Sequence, residues 1–316
     1  MSILITDYII KPNVEKSILG NKLLSYKKEN FKKTKILLVW HQRIDNEYLS
    51  NFPNLELIVR YGVGYDQIDL KACKKRQILV CNTPDYGTDE VSDTALAMIM
   101  SFTRGIYEYN TIAKTLPTNW QENTIKGIKR TSEINVGIVG AGRIGSALIL
   151  KLNSIGFQTS FYDPYVRTGY EKVLRSNKFD DLNKFLKQSD IVSLHCPLNN
   201  NTKGIVDDNF LSLMKAKSFL INTARGGLID SLERIYDFLK KEKIMGVGFD
   251  VLPEEPPCIN NLLIKQWLND KKYDHRIIIN PHTAYYSNQS YTEMRRKASI
   301  NALRYIKGLD VYNKVY

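Results

Sequence analysis

The sequence predicts an α/β protein built from two doubly wound parallel sheets. Short apolar runs of strand length alternate with segments of helical period in the first hundred or so residues, and the alternation resumes after residue 136. This alternation is typical of parallel sheets that are covered by helices on both faces. A chain of 316 residues is long enough for two such domains, each with its own core.

The amino-terminal part carries four predicted strands, over residues 3–10, 35–40, 57–61 and 78–81. Helices are predicted between them, over residues 14–26, 45–51 and 68–75. The third strand runs into a turn that contains Arg60, Val63 and Gly64. Ligands of such sheets bind beyond the carboxyl ends of strands, where a glycine turn exposes backbone N–H groups that can hold a carboxylate. An ordinary strand-to-helix turn is an equal alternative here.

A long helix is predicted over residues 89–109, with acidic residues in its first turn. Apolar residues surround nearly its whole circumference, which indicates burial between two bodies. The polar segment 110–132 then leads into the next strand as an ordered connection.

A glycine-rich turn organises the second part of the chain. An apolar run at residues 136–139 enters the turn, a helical segment follows, and a second apolar run ends at Asp163. Gly140 permits a tight turn, Gly142 lets backbone N–H groups approach a pyrophosphate, and Gly145 allows close helix-on-strand packing. Asp163 is placed to accept hydrogen bonds from ribose hydroxyls and to repel a 2′-phosphate. The stretch therefore predicts a dinucleotide site that prefers NAD to NADP.

The alternation continues to the end of the chain. Later strands are predicted over residues 190–195, 218–222, 245–250 and 276–279, which with the two strands beside the glycine turn makes six. Helices are predicted over residues 210–214, 231–241 and 288–307.

Three polar residues follow strand ends in this second part: Arg225, Glu255 and His282. Strand ends of an open parallel sheet share one crevice, so these side chains can converge. Arginine pairs with a carboxylate through two hydrogen bonds, and histidine can donate a proton when a carboxylate orients its ring. Spacing alone leaves a surface or phosphate-binding arginine and a structural histidine open.

Four segments resemble the D-isomer-specific 2-hydroxyacid dehydrogenases: 136–164, NTARGGLID at 222–230, FDVLPEEP at 249–256 and NPHTAYYS at 280–287. Within that family the chain is most similar to the branch with the C-terminal-binding-protein-like dehydrogenases, through VRYGVGYDQIDL, VCNTPDYGTDEVSD, SFYDPY and LHCPLNNNT. The resemblance covers nearly the whole chain.

The resemblance implies specific site residues. The catalytic residues would be Arg225, Glu255 and His282. NAD would contact Gly140, Gly142, Arg143, Ile144, Gly145, Asp163, Cys196, Pro197, Thr202, Thr223, Ala224, Arg225, Asp250 and His282. The substrate would contact Arg60, Val63, Gly64, Arg225, His282 and Tyr285. No metal is expected.

The resemblance also implies the domain arrangement. A flavodoxin-like substrate-binding domain would comprise residues 1–105 and 288–316, and a Rossmann NAD-binding domain residues 106–287. Family relatives pair through the cofactor domain, so a homodimer is expected, with the 89–109 helix covered in it. Ser92 and Asp93 replace the commoner Ala and Glu, and Tyr285 stands where an indole occurs in corepressor relatives, which leaves substrate size open.

The expected function is reversible hydride transfer between NADH and a small 2-oxo acid. The alternative is an NAD(H)-sensing, corepressor-like scaffold, since relatives in this branch act in transcription. Formate or phosphite oxidation is disfavoured, because formate enzymes resembling this fold have a neutral amide in place of Glu255.

Composition bounds the remaining possibilities. The net charge of +12 comes from scattered lysines and arginines, which favours a solvated surface that attracts an anionic substrate over a nucleic-acid face. No signal peptide or membrane-length apolar stretch is seen, so a cytoplasmic protein is expected. The four cysteines show no CxxC spacing and are expected to be reduced.

Overall fold

A computed structural model describes residues 2–7 and 9–316. The chain divides into two compact units, Met1–Gly87 with Tyr285–Tyr316, and Thr88–Ala284. The strands are β1 (Ser2–Ile5), β2 (Thr34–Val39), β3 (Leu57–Arg60), β4 (Leu79–Cys81), β5 (Asn135–Val139), β6 (Gln158–Tyr162), β7 (Asn177–Phe179), β8 (Ile191–Leu194), β9 (Ser218–Asn222), β10 (Ile244–Phe249) and β11 (Ile277–Ile279). The helices are α1 (Asn13–Leu19), α2 (Lys28–Phe31), α3 (Asn46–Ser50), α4 (Leu70–Lys75), α5 (Thr88–Thr103), α6 (Ile106–Ala113), α7 (Arg143–Ser154), α8 (Tyr170–Leu174), α9 (Leu182–Gln188), α10 (Asp208–Leu213), α11 (Leu232–Lys240), α12 (Leu262–Asn269) and α13 (Asn288–Ile306).

The first unit is a four-stranded parallel sheet in the order β1-β2-β3-β4. Alternate residues of β2 enter two separate cores. Ile36 and Leu38 pack in the core that includes α13, whereas Leu37 and Val39 pack in the core that includes α3 and α4. Helices therefore cover both faces of the sheet, as a doubly wound fold requires.

The second unit is a seven-stranded parallel sheet in the order β11-β10-β9-β8-β5-β6-β7. The chain winds from β5 towards β7, then crosses back to β8 and winds the other way. The strand order thus reverses between β5 and β8, and ligands of open α/β sheets bind at the carboxyl ends of the strands at such a point. The predicted fold class, two doubly wound parallel sheets, is confirmed.

Several element predictions were wrong in detail. The second sheet has seven strands rather than six, because β7 was missed: it is three residues long and has no buried side chain. The short helices α2, α8, α9 and α12 were also missed. The helix predicted over 14–26 ends at Leu19, where Gly20 adopts a left-handed φ of 56°. The strand predicted over 3–10 ends at Ile5, and its residue Tyr8 lies outside the described residues.

The helix predicted over 89–109 is two helices, α5 and α6. The break lies at Gly105, whose φ of 60° is left-handed. A Cβ there would lie 2.6 Å from Ile125 Cδ1, so the following loop packs directly on this glycine.

The apolar face of α5 packs inside the second unit. Phe102 stacks on Phe219 of β9 at 5.0 Å, and Met98 lies against Gly248 of β10. Lys151 of α7 donates to Asp93 at 2.7 Å. The boundary between the compact units therefore precedes α5, whereas the sequence placed it after residue 105. Among the described residues, none of the helices combines the length and apolar character needed to span a bilayer.

Candidate active site

The glycine turn after β5 is closely packed on one side and open on the other. Gly140 has a left-handed φ of 94°, and a Cβ there would lie 2.8 Å from Cys196 N. A Cβ at Gly145 would collide with the Gly140 carbonyl oxygen. A Cβ at Gly142 would meet no atom within 4 Å. The turn therefore has room for a ligand beside Gly142, where the packing of Gly140 and Gly145 does not intrude.

The first backbone N–H groups of α7 lie at this turn, and they have no hydrogen-bond partner within the helix. Gly142 is the N-cap and provides no side-chain hydrogen bond, and the first helical turn holds no acidic residue. The helix dipole places partial positive charge at this end. Arg143 and Ile144, the first two helical residues, are exposed and half-buried respectively. A phosphate group fits this donor set.

Asp163 follows β6 and closes the turn. Its Oδ2 accepts from Ala141 N at 2.9 Å, and its Oδ1 accepts from Tyr165 N at 2.9 Å. A carboxylate offers about four acceptor positions, so both oxygens can accept a further hydrogen bond. The side chain is only half-buried, which suits it to accept from ribose hydroxyls.

The loop after β8 lies against the glycine turn through Cys196. Burial raises the pKa of the Cys196 thiol to about 11, so this side chain is neutral. Thr202 closes the loop, because its hydroxyl donates to Pro197 O at 2.6 Å and accepts from Asn199 N at 2.9 Å. The predicted cofactor residues of this segment are thus held in one compact loop.

The loop after β9 carries Thr223, Ala224 and Arg225. Thr223 is 6% exposed, and within the described part of the chain its hydroxyl has no hydrogen-bond partner. A buried hydroxyl without a partner costs free energy, so a ligand that supplies one would be favoured here. The Thr223 hydroxyl and the open space at Gly142 are two features that a bound dinucleotide would fit.

The loops after β9 and β10 touch each other. A Cβ at Gly226 would collide with the Leu252 carbonyl oxygen, so only glycine permits this approach. Arg225 Nη1 donates to Ala224 O at 2.7 Å, and its positive charge acts on Glu255. Residues 30 positions apart in sequence are therefore electrostatic neighbours.

Glu255 and His282 form a hydrogen-bonded pair. His282 Nδ1 lies 2.7 Å from Glu255 Oε2, and Leu252 N donates to Glu255 Oε1 at 2.9 Å. A carboxylate can only accept, so Nδ1 carries the hydrogen and Nε2 is the ring nitrogen that can face a substrate. The two side chains are 41% and 37% exposed, which leaves this pair accessible.

The pair keeps Glu255 ionised. Burial alone would raise the pKa of Glu255, but the hydrogen bond from His282, its charge, the Leu252 N–H and the Arg225 charge together lower that pKa below its ordinary value. The carboxylate therefore stays negative at neutral pH and can stabilise a positively charged imidazole.

Asp250, at the end of β10, holds the turn that carries His282. Its Oδ1 accepts from Thr283 N at 2.9 Å and from Ala284 N at 3.0 Å, and its carbonyl oxygen accepts from His282 N at 2.8 Å. His282 has a left-handed φ of 56°, a conformation unfavourable for this residue type without such support. Burial, partly offset by these N–H groups, raises the pKa of Asp250.

Four predicted substrate residues belong to the first unit. Val63 and Gly64 follow β3, where Asn82 Nδ2 donates to Val63 O at 2.8 Å. Tyr285 packs against Trp40 at 5.8 Å and Tyr86 at 6.2 Å between ring centroids. The fourth, Arg60, is the last residue of β3, and its guanidinium lies against Gly62.

Sequence reasoning missed two residues that shape the site, the Leu252 N–H that holds Glu255 and the side chain of Asn222. Asn222 is fully buried and bonds to the loop of Arg225. An asparagine at the end of a strand, directly before a loop, is a known turn signal that could have indicated the second. Across residues 2–7 and 9–316, no group of three or more His, Cys, Asp or Glu side chains is placed to hold a metal ion.

Comparisons with known proteins agree with this geometry. Residues 96–284 match the family model of the D-isomer-specific 2-hydroxyacid dehydrogenase, NAD-binding domain. A glyoxylate reductase of Thermofilum pendens is 34% identical over 278 residues, which covers 87% of this chain and 79% of that protein. C-terminal-binding protein 1 of Caenorhabditis elegans is 30% identical over 279 residues, covering 86% of this chain but only 37% of that protein.

A solved structure shows the same fold. The crystal structure of D-lactate dehydrogenase from Aquifex aeolicus, complexed with NAD and lactic acid, is 27% identical, with a TM-score of 0.83 over 97% of this chain and 96% of that one. The predicted family, its C-terminal-binding-protein-like relatives and the predicted cofactor NAD are confirmed. The chain belongs to the D-isomer-specific 2-hydroxyacid dehydrogenase family, NAD-dependent oxidoreductases of 2-hydroxy acids, and residues 96–284 match the NAD-binding domain of that family.

Proposed function

We propose that this protein reduces a small 2-oxo acid to the D-2-hydroxy acid with NADH, and catalyses the reverse reaction. The observation that carries the proposal is the Glu255–His282 pair, at 2.7 Å and half-exposed, with the charge of Arg225 acting on it. Such a group combines a proton donor, a residue that orients it and a cation for an anionic substrate.

The cofactor would bind along the second unit. Backbone N–H groups of residues 140–145 would hold its pyrophosphate, Asp163 its ribose hydroxyls, and the Thr223 hydroxyl would gain a partner. Bound NADH supplies the hydride. Asp250 would face the nicotinamide side while its carboxylate holds the turn of His282.

The substrate would be held by charge and by backbone donors. In the second unit, Arg225 would pair with its carboxylate. In the first unit, the proposed substrate contacts are the N–H groups of Val63 and Gly64 and the side chains of Arg60 and Tyr285. His282 Nε2 would donate a proton to the carbonyl oxygen, and the hydrogen bond from Nδ1 to Glu255 would orient the ring for that step. In this proposal the first unit is the substrate-binding domain and the second the cofactor domain.

The competing function is an NAD(H)-sensing scaffold. The observation that favours it is the similarity to C-terminal-binding protein 1. A sensor needs only the cofactor site. The presence of Arg225, Glu255 and His282, with the last two in a hydrogen-bonded pair, supports the enzyme.

The proposed assembly is a homodimer formed through the cofactor domain. Exposed apolar side chains lie on α6, in the loop that follows it, on α7 and directly after α7: Ile106, Tyr107, Leu116, Trp120, Leu150 and Ile155. The loop is ordered, because Ile125 packs on Gly105 and donates its N–H to the Tyr109 hydroxyl. The buried face of α5 is covered within its own unit, so the proposed dimer would cover these exposed side chains instead. A monomer mass by light scattering at micromolar concentration would contradict the dimer.

The proposed location is the cytoplasm, and the proposed partner of the basic surface is the anionic substrate. All four cysteines are free thiols, and Cys258 is exposed, which is typical of a reducing compartment. Tight binding of this protein to duplex nucleic acid at physiological salt concentration would contradict the proposal that the basic surface serves the anionic substrate.

A panel of 2-oxo acids, assayed by loss of NADH absorbance, tests the function. The expected result is oxidation of NADH with at least one small 2-oxo acid and formation of the D-isomer, identified by chiral chromatography. Tight NADH binding without reduction of any acid in the panel would favour the scaffold.

A further inference from the structure

The side chain of Asn222 closes the loop that carries Arg225. Asn222 is the last residue of β9 and is 0% exposed. Its Nδ2 donates to Arg225 O at 2.9 Å, and its Oδ1 accepts from Ala224 N at 3.0 Å. One amide group therefore satisfies a backbone acceptor and a backbone donor within three residues of itself.

The backbone of Asn222 is fixed in turn by the neighbouring strand. Asp250 N donates to Asn222 O at 3.0 Å, which joins the ends of β9 and β10. On the far side of the loop, Gly226 lies directly against Leu252. The loop between Asn222 and Gly226 is thus held at both ends, and the Asn222 amide holds its middle.

We propose that Asn222 is a positioning residue for Arg225, through which it sets the affinity for the substrate carboxylate. The inference rests on the proposed function, because it takes Arg225 as the residue that binds the carboxylate. The two hydrogen bonds restrict the backbone from Thr223 to Arg225, and the Ala224 carbonyl oxygen of this stretch accepts from the Arg225 guanidinium at 2.7 Å. The Asn222 amide thus holds both the backbone of Arg225 and the carbonyl group to which its guanidinium is bonded. Placement errors of about 1 Å in such groups can cost a hundredfold in rate.

Asn222→Asp tests the inference with almost no change in size. The variant keeps an oxygen that accepts from Ala224 N but loses the donor to Arg225 O. We expect the KM for the 2-oxo acid to rise about tenfold or more, and by a larger factor than the Kd for NADH, to which Thr223 and Ala224 of the same loop are proposed to contribute. An unchanged KM would overturn the inference.

Ser218→Ala is the matched control. Ser218 begins the same strand, is 1% exposed, and its hydroxyl has no hydrogen-bond partner within the described residues. This variant perturbs the buried strand at the end far from Arg225, so we expect KM and kcat to stay within about twofold of the unmodified protein. An equal rise in KM would assign the effect of Asn222→Asp to general disruption of β9 and would overturn the inference.

A double-mutant cycle separates positioning from a merely structural role. If Asn222 acts through Arg225, Asn222→Asp should lower kcat/KM much less in an Arg225→Ala background than in the unmodified protein. Equal losses in the two backgrounds would contradict the inference.

A crystal structure of Asn222→Asp supplies a readout that needs no activity. We expect the Arg225 backbone to move by about 1 Å relative to the unmodified protein. If the unmodified protein reduces no 2-oxo acid, the proposed function fails. If the Arg225 backbone of Asn222→Asp has not moved in the crystal structure, the positioning inference fails. Should Asn222→Asp not fold, Asn222→Ser serves instead, because serine can still accept from Ala224 N but is too short to reach Arg225 O.

Discussion

Two hydrogen-bonded pairs in this protein, each of a carboxylate and a nitrogen base, have nearly the same length and opposite surroundings. Glu15 and Arg295, in the first unit, lie 2.6 Å apart with side chains 0% and 8% exposed. Glu255 and His282, in the second, lie 2.7 Å apart with side chains 37% and 41% exposed. Distance alone does not separate the structural pair from the pair that we propose to be catalytic.

Burial and the identity of the cation do separate them. Glu15 also accepts from the Tyr61 hydroxyl at 3.0 Å, and Arg295 also donates to Lys11 O at 2.8 Å. Burial alone would lower the pKa of Arg295, but its bonds to Glu15 raise that pKa, so this cation does not release a proton. The pair joins α1 to α13. His282, by contrast, can exchange its proton and is accessible.

The largest expected effect is on turnover. Because His282 has a left-handed φ, we choose His282→Asn, since asparagine tolerates that backbone better than alanine does. Loss of the proton donor should lower kcat by roughly two to four orders of magnitude, with NADH binding retained. Steady-state kinetics and NADH fluorescence titration measure the two effects. A variant that keeps more than about a tenth of the turnover would show that the ring is not the proton donor.

The next effect is on stability, and it concerns the buried pair. Arg295→Met leaves Glu15 buried without its cation, so the free energy of unfolding should fall by about 3–5 kcal/mol. The matched control is Lys35→Met, which breaks the half-exposed Lys35–Glu56 pair of the same unit and should cost less than about 1 kcal/mol. Urea denaturation followed by tryptophan fluorescence compares the two. If the free energy of unfolding falls by a similar amount in both variants, burial does not decide how much such a pair contributes to stability, which would contradict the comparison.

A smaller effect is expected on cofactor choice. Asp163→Asn keeps an oxygen for Ala141 N but removes the charge that repels a 2′-phosphate. The ratio of kcat/KM for NADH to that for NADPH should fall by about tenfold. Equal use of both cofactors by the unmodified protein would already contradict the assigned role of Asp163.

The sequence predicts those parts of this protein whose signals are local. The apolar runs of β5 and β8 and the glycines of the turn between β5 and α7 each stand within a few residues of one another, so their pattern is readable. Strand β7 is three residues long and has no buried side chain, so no pattern marks it.

The polar contacts of the site are not local, which is why the sequence alone left them open. Glu255 and His282 are 27 residues apart in the sequence. Asp250 accepts from the N–H groups of Thr283 and Ala284, which lie 33 and 34 residues later in the chain. Such hydrogen bonds depend on how adjacent strand ends line up. Strand order and register bring these residues together, and neither can be read from one segment.

The pH dependence of 2-oxo acid reduction, compared between the unmodified protein and Glu255→Gln, tests whether the Glu255 carboxylate supports His282 as the proton donor. Because the hydrogen bond and charge of His282 and the charge of Arg225 lower the pKa of Glu255, the carboxylate stays negative down to the acid range. Reduction by the unmodified protein should fall on the acid side only when the pH drops through this lowered pKa and the carboxylate is protonated.

In Glu255→Gln the carboxylate charge is lost at nearly constant size, so kcat should be lower at every pH and the acid-side fall should be absent. An acid-side fall at the same pH in both proteins, or an unchanged kcat in Glu255→Gln, would contradict the claim that the Glu255 carboxylate supports His282 as the proton donor.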